Sequence, residues 1–257
     1  MDELNFHPLS QRGIDYTITS KRKFRPTRLT NQADVDRCFD FAWAMTFGEI
    51  GGHRPHRTGG TRIRRNGEIF ANTFQGKLAE FAVCDQLRNC KGLIQPDTTV
   101  SPRGFWDEGD VTVDNCKIAV KSTKSFGNLL LLEKSDWTIE ADYVNSQGLK
   151  SPDFHCLVRI SPDVSSLMES KKLLYADAME VDVLHNCLFS DGDYTYDCGG
   201  VATKGDLQTI IKYGHLLPKD SLLNEYTKID ADNYYFQAGD LRPIQTILDY
   251  LVDPTSV

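Results

Sequence analysis

Two neighbouring segments of this chain bring an acid and an amine within reach of one another. Asp110 opens the run Asp110-Val111-Thr112-Val113, and Lys117-Ile118-Ala119-Val120-Lys121-Ser122 follows after a tight turn near Asp114-Asn115, the layout of a β-hairpin. Side chains alternate along a strand, so Ile118 and Val120 point to one face while Ala119, Lys121 and Thr123 point to the other. Asp110 can reach the Lys121 face across the hairpin, and Asp107 and Glu108 stand close in sequence. An acid and an amine held together in this way can do catalytic work or form a plain exposed ion pair. A helix is expected from Phe74 to Cys90, FQGKLAEFAVCDQLRNC, closed by Lys91-Gly92. On its wheel Ala79, Val83, Cys84 and Leu87 form an apolar arc, and Lys77, Asp85 and Arg88 gather on another side. Glu80 falls inside the apolar arc, where an unpaired carboxylate is costly. If this helix packs on the Lys121 face, Glu80 becomes a second acid there.

The stretch WDEGDVTVDNCKIAVKSTK, preceded by GKLAEFAV, resembles the core of the PD-(D/E)xK nuclease superfamily, in particular its type II restriction endonucleases. Helix, loop, acid, hairpin and amine occur in that family's order over residues 74–125. The resemblance implies Asp110 as first metal ligand, the backbone carbonyl of Val120 as a further ligand, Lys121 as the motif lysine and Glu80 as the helix acid. It also implies Mg²⁺, with Mn²⁺ able to substitute, since hard oxygen ligands select these ions over Zn²⁺. The ion would stabilise the pentacovalent phosphate, and Lys121 would orient or deprotonate the attacking water. One position departs from the pattern: two residues before Lys121 the motif acid is replaced by Ala119. Either Glu80 or Glu108 serves in its place or the site is disarmed, and the expectation is the disarmed site, which Ala119→Asp would restore.

Beyond these segments, seven scattered cysteines in 257 residues form no disulfide framework, which points to a reduced, cytoplasmic setting. No apolar run is long enough for a membrane span. The net charge of -7 is unevenly spread, with 12 Lys and Arg against 7 Asp and Glu over residues 1–65, and 17 against 29 over the rest. One basic surface on an acidic body fits this asymmetry. The basic clusters are Lys21, Arg22, Lys23, Arg25 and Arg28, suited to phosphates, and Arg54, Arg57, Arg62, Arg64 and Arg65, suited to base readout from an irregular, Gly-rich loop. Ser122 and Lys124 join them as candidate DNA contacts. Histidines 53, 56 and 185 with Cys187 and Cys198 match no zinc module, and nucleophile-elbow, phosphate-loop and dinucleotide fingerprints are absent.

Further helices are expected from about Asn31 to Phe47, near Gly205–Tyr213 and from about Pro243 to Leu251. Strands are expected at His155–Ile160 and Leu173–Ala176, while GNLLLLE, residues 127–133, suits a strand or a short helix. Tyr234, Tyr235 and Phe236 suit a core or subunit interface better than base stacking. The whole reads as an α/β (α+β) fold, a central mixed β-sheet flanked by helices with a restriction-endonuclease-like core, in one domain. Residues 1–67 would contact DNA, 68–164 form the catalytic core, and 165–257 complete the core and a dimer interface. The expected activity is Mg²⁺-dependent cleavage of a specific double-stranded DNA sequence by a homodimer, alongside a DNA methyltransferase that protects the host. The competing readings are a structure-selective repair or junction nuclease and a non-catalytic nucleic-acid-binding protein on a degenerate nuclease fold.

Overall fold

The computed structural model describes residues 5–29, 31–48, 63–88, 110–144, 151–190 and 192–254, with residues 94, 96 and 98 besides. In chain order, β1 (Ser10–Arg12), β2 (Asp15–Thr17) and β3 (Thr27–Arg28) lead into α1 (Gln32–Phe47) and α2 (Asn66–Leu87). Next come β4 (Val111–Val113), β5 (Cys116–Lys124), β6 (Leu129–Glu133), β7 (Phe154–Ser161), α3 (Val164–Ser170), α4 (Val181–Phe189), β8 (Thr195–Thr203) and α5 (Lys204–Tyr213). The last elements are β9 (Leu216–Leu217), β10 (Leu222–Leu223), β11 (Thr227–Lys228), β12 (Asn233–Gln237) and α6 (Gln245–Val252). Among the described residues no helix is long and apolar enough to cross a membrane, and the six cysteines there are free thiols.

Five strands make a mixed sheet in the order β3-β8-β7-β5-β4. The β4–β5 hairpin is antiparallel, its turn residue Asp114 taking a φ of 52° that Asp tolerates better than most side chains. β5 then runs parallel to β7, and β8 runs antiparallel to both β7 and β3. The near-continuous apolar run of β7 follows from its central place, buried on both faces.

One face carries Ile118 and Val120 of β5 with Cys156, Val158 and Ile160 of β7, packed under Phe70, Phe74 and Leu78 of α2. α2 is apolar nearly all round because α1 covers its outer side, Phe39 lying edge-on to Phe70 and Phe74. The opposite face carries Leu157 and Ala202 under Leu130, Leu132 and Phe236 of a second sheet, β6-β12-β9, and Leu207 and Ile210 of α5. The architecture is an α+β one with a central mixed sheet, as the sequence implies.

The segment 20–25 is strapped across this second face. Arg159 of β7, fully buried, donates to the carbonyl oxygens of Arg22 at 2.6 Å and Lys23 at 3.1 Å, and to Asp197 Oδ1 at 3.0 Å. The other Asp197 oxygen accepts from the Arg25 backbone N–H, so one ion pair ties β7, β8 and the strap together.

Several expectations change here. α2 begins at Asn66, eight residues earlier than the apolar pattern indicates, its first turn held by Glu68, whose carboxylate accepts from the Arg65 backbone N–H at 3.0 Å. Residues 173–176 form turns rather than a strand, and 127–133 resolve into a turn followed by β6. β8 is not among the expected strands, and it runs through the pair Gly199-Gly200. The two glycines sit at a bulge against β7, where Gly200 takes a φ of 133° and a Cβ would fall 2.5 Å from Leu241. Tyr235 and Phe236 are core residues, as expected.

Removing one partner of a buried ion pair leaves the other charge uncompensated. Asp197→Ala is therefore expected to lower stability by about 3–5 kcal/mol, read as a fall in the denaturant midpoint. A loss within about 0.5 kcal/mol, the scale of ordinary surface changes, would contradict the clamp.

Candidate active site

The hairpin register decides which side chains meet. Val111 pairs with Ile118, so Asp110, one residue before β4, stands opposite Ala119. Ala119 in turn pairs with His155 of β7, and His155 with Ala202 of β8. One row across the sheet therefore reads Asp110, Ala119, His155, Ala202, all on the face away from α2. The Asp110 carboxylate is held in place, its Oδ2 accepting from the Val120 backbone N–H at 2.6 Å. A strand residue's N–H and C=O point the same way, so the Val120 carbonyl also faces the β4 side, beside Asp110. Lys121 lies two residues beyond Ala119 on the same face, exposed and without an ion pair among the described residues.

His155 is the residue that sequence reasoning missed. It is fully buried, its ring sits edge-on to Trp137 at 4.9 Å, and neither ring nitrogen has a hydrogen-bond partner among the described residues. Burial, aided by the positive charge of Lys121, pulls its pKa down from 6.5 to about 3. The imidazole is neutral and faces the Ala119 methyl. A lone histidine in the apolar run FHCLVRI was the available signal, but only the parallel pairing of β5 and β7 gives it a neighbour.

Glu80 does not join this group. α2 packs on the Ile118 and Val120 face, and Glu80 points toward α1, its Oε2 2.6 Å from Lys77 Nζ. Lys77, expected on a polar side, is itself buried and lies 4.4 Å from the Phe41 ring centroid. Burial, then the Glu80 charge, raises the neighbouring Cys38 and Cys84 thiols, Cys84 to about 12. The helix acid is thus part of the interhelical packing between α1 and α2, because the alternation of β5 turns Lys121 away from that helix.

The basic residues divide similarly. Arg54, Arg57 and Arg62, like Asp107 and Glu108, lie outside the described residues. Arg65 stands at the position before α2 and pairs with Asp177, and Arg64 is half-buried beside it. Lys124 pairs with Asp163 at 2.9 Å, and Ser122 shares the helix-side parity of Val120, so neither belongs to the Lys121 face. Lys21, Lys23 and Arg25 are exposed on the strap, whereas Arg22 is half-buried and donates to the Leu241 carbonyl, with burial lowering its pKa.

A Mg²⁺ ion usually takes one or two carboxylates together with phosphate and water oxygens. The described residues supply the Asp110 carboxylate and the Val120 carbonyl, and a methyl group stands at 119 where a second carboxylate would complete the clamp. No group of three His, Cys, Asp or Glu that could hold a metal occurs among the described residues. Among the described residues the donor set is too thin for the ion. No protein-family model matches the chain, and no curated protein or solved structure matches it either.

The neutral imidazole makes a pH prediction. The unfolded chain takes up the His155 proton near pH 6.5 and the folded chain only near pH 3, so this contribution is complete above pH 6.5 and is lost as pH falls toward 3. His155→Leu should flatten the acid limb of stability by about 1.4 kcal/mol per pH unit across that window, measured as denaturant midpoints. Parallel limbs in variant and parent would mean that the imidazole is not held neutral.

Proposed function

We propose that this chain is a double-stranded DNA endonuclease of the restriction type, on a PD-(D/E)xK-like core, whose motif acid is replaced by Ala119. The observation that carries the reading is the hairpin face: Asp110, position 119 and Lys121 lie on one face of an antiparallel hairpin, with the acid oriented by the Val120 N–H. In this arrangement the ammonium group could meet a phosphate oxygen directly, while the carboxylate could meet it only through a shared cation. With an acid restored at 119, Asp110 and that acid would hold a divalent metal, which would supply Lewis-acid stabilisation of charge on the phosphate. The protein's own contributions are separable from it. Asp110 presents a fixed carboxylate, Lys121 offers an unpaired cation to the phosphate or the attacking water, and Lys21, Lys23 and Arg25 grip the backbone from the strap.

A homodimer would bring two such faces to the two strands, since a two-fold protein mirrors a palindromic site. A methyltransferase of matching specificity would protect the host. Ala119 itself supports a second reading, a nucleic-acid-binding protein that keeps the grip and has lost the chemistry.

Digestion of a long, defined duplex separates them. With Mg²⁺, Ala119→Asp should yield discrete fragments at a rate on the order of 100-fold or more above the unaltered chain, and EDTA should abolish them. Intact DNA from a folded, metal-supplied Ala119→Asp protein that still binds duplex would overturn the endonuclease reading and favour the binding protein.

A further inference from the structure

The turn between β5 and β6, residues 125–128, displays a large apolar ring to solvent: Phe126 is 75% exposed. A flexible loop could hide such a ring, but this turn is braced on every side. The Gly127 N–H donates to the Lys124 carbonyl at 2.8 Å, and Asn128 Nδ2 donates to the Phe126 carbonyl at 2.9 Å. Asn128 is buried, and its Oδ1 accepts from the Arg22 N–H at 2.9 Å while its carbonyl accepts from the Ala238 N–H at 2.9 Å. The turn is thereby fastened to the basic strap and to the segment after β12. It also closes tightly on the sheet, since a Cβ at Gly127 would fall 2.3 Å from Thr123 Oγ1. Thr123 is the residue two beyond Lys121 on the same face.

The surroundings are cationic. Lys121 precedes the turn, and the exposed Lys21 and Lys23 lie on the strap to which Asn128 is bonded. Lys124 Nζ, although paired with Asp163, stands 5.9 Å from the ring centroid. An apolar protein partner covering the ring would leave the exposed ammonium groups of Lys121 and of the strap, which have no ion pair among the described residues, without a counter-charge. Duplex DNA meets both demands, its phosphates taking the cations and a base step taking the ring, which is how minor-groove and architectural proteins use apolar wedges.

We propose that Phe126 is a DNA wedge: it enters between base pairs beside the phosphate held on the Lys121 face, unstacking one step and untwisting the duplex. This rests on the nucleic-acid reading above and adds to it a deformed substrate. Because the side chain is held ready by its turn, little ordering is needed at binding. Steps that unstack easily, such as TA and CA, are favoured over stiff A-tracts without any base-edge contact.

The test uses the unaltered chain and a nicked circular plasmid, sealed by DNA ligase at a series of bound-protein ratios measured by filter binding. A wedge untwists DNA, so the linking-number distribution shifts down in proportion to the protein bound. Phe126→Ala, compared at matched occupancy, loses the shift; Phe126→Trp keeps it. Lys23→Gln needs more protein and flattens the salt dependence of binding, yet at matched occupancy gives the parent's shift. The same shift from Phe126→Ala and parent, or none from a plasmid the parent saturates, overturns the wedge while leaving the nucleic-acid reading standing. Failure of the parent to bind plasmid at all overturns that reading, and the wedge with it.

Discussion

The parallel pairing of β5 with β7 is the constraint on which the rest of the molecule depends. A parallel neighbour cannot be reached by a tight turn, so the chain must leave β5, build β6 and the turns after it, and return to lay β7 alongside. That detour creates the second sheet, which covers one side of β7, while α2 covers the other. A strand buried on both faces can carry polar groups only if they are neutral or paired. The two buried polar residues of β7 obey this: His155 is held uncharged, and Arg159 is matched by Asp197 and two carbonyl oxygens.

The same pairing divides the sheet into two territories. One face, under α1 and α2, is a hydrocarbon core in which even the Glu80 carboxylate serves packing by pairing with Lys77. The other face is covered over β7 and β8 but left open along β5, and there Asp110, Ala119 and Lys121 line up beside the braced turn and the strap. Arg159 links the two roles. By donating to the Arg22 and Lys23 carbonyls from inside the sheet, it carries the rigidity of the core outward to the cations that would meet a phosphate backbone.

Much of the hairpin was legible in sequence because its signals are local. Alternation placed Lys121 and Ala119 together, Asp114-Asn115 marked the turn, and Asp110 was put on the correct face. Relations between distant segments were not legible. The side of the sheet taken by α2 depends on which β5 face its apolar arc meets, and nothing within residues 74–90 encodes that, so Glu80 was expected in a site it does not enter. His155 became meaningful only through its register with Ala119, and β8, which runs through its glycine pair, was not among the expected strands. The N-terminal basic cluster looked like a generic phosphate patch, whereas its backbone is bonded to a buried arginine more than 130 residues away.

On the reading proposed above, Asp110 and position 119 would be the two facing halves of a cation clamp, of which this chain keeps one. Titration with Mn²⁺, followed by electron paramagnetic resonance, tests it without requiring any DNA sequence to be known. A bound-ion signal is expected in Ala119→Asp that is absent from Ala119→Asn and is lost again when Asp110→Asn is added. Equal Mn²⁺ uptake by the Asp and Asn variants, or uptake indifferent to Asp110, would show that the two positions do not act together on a metal and would contradict the account.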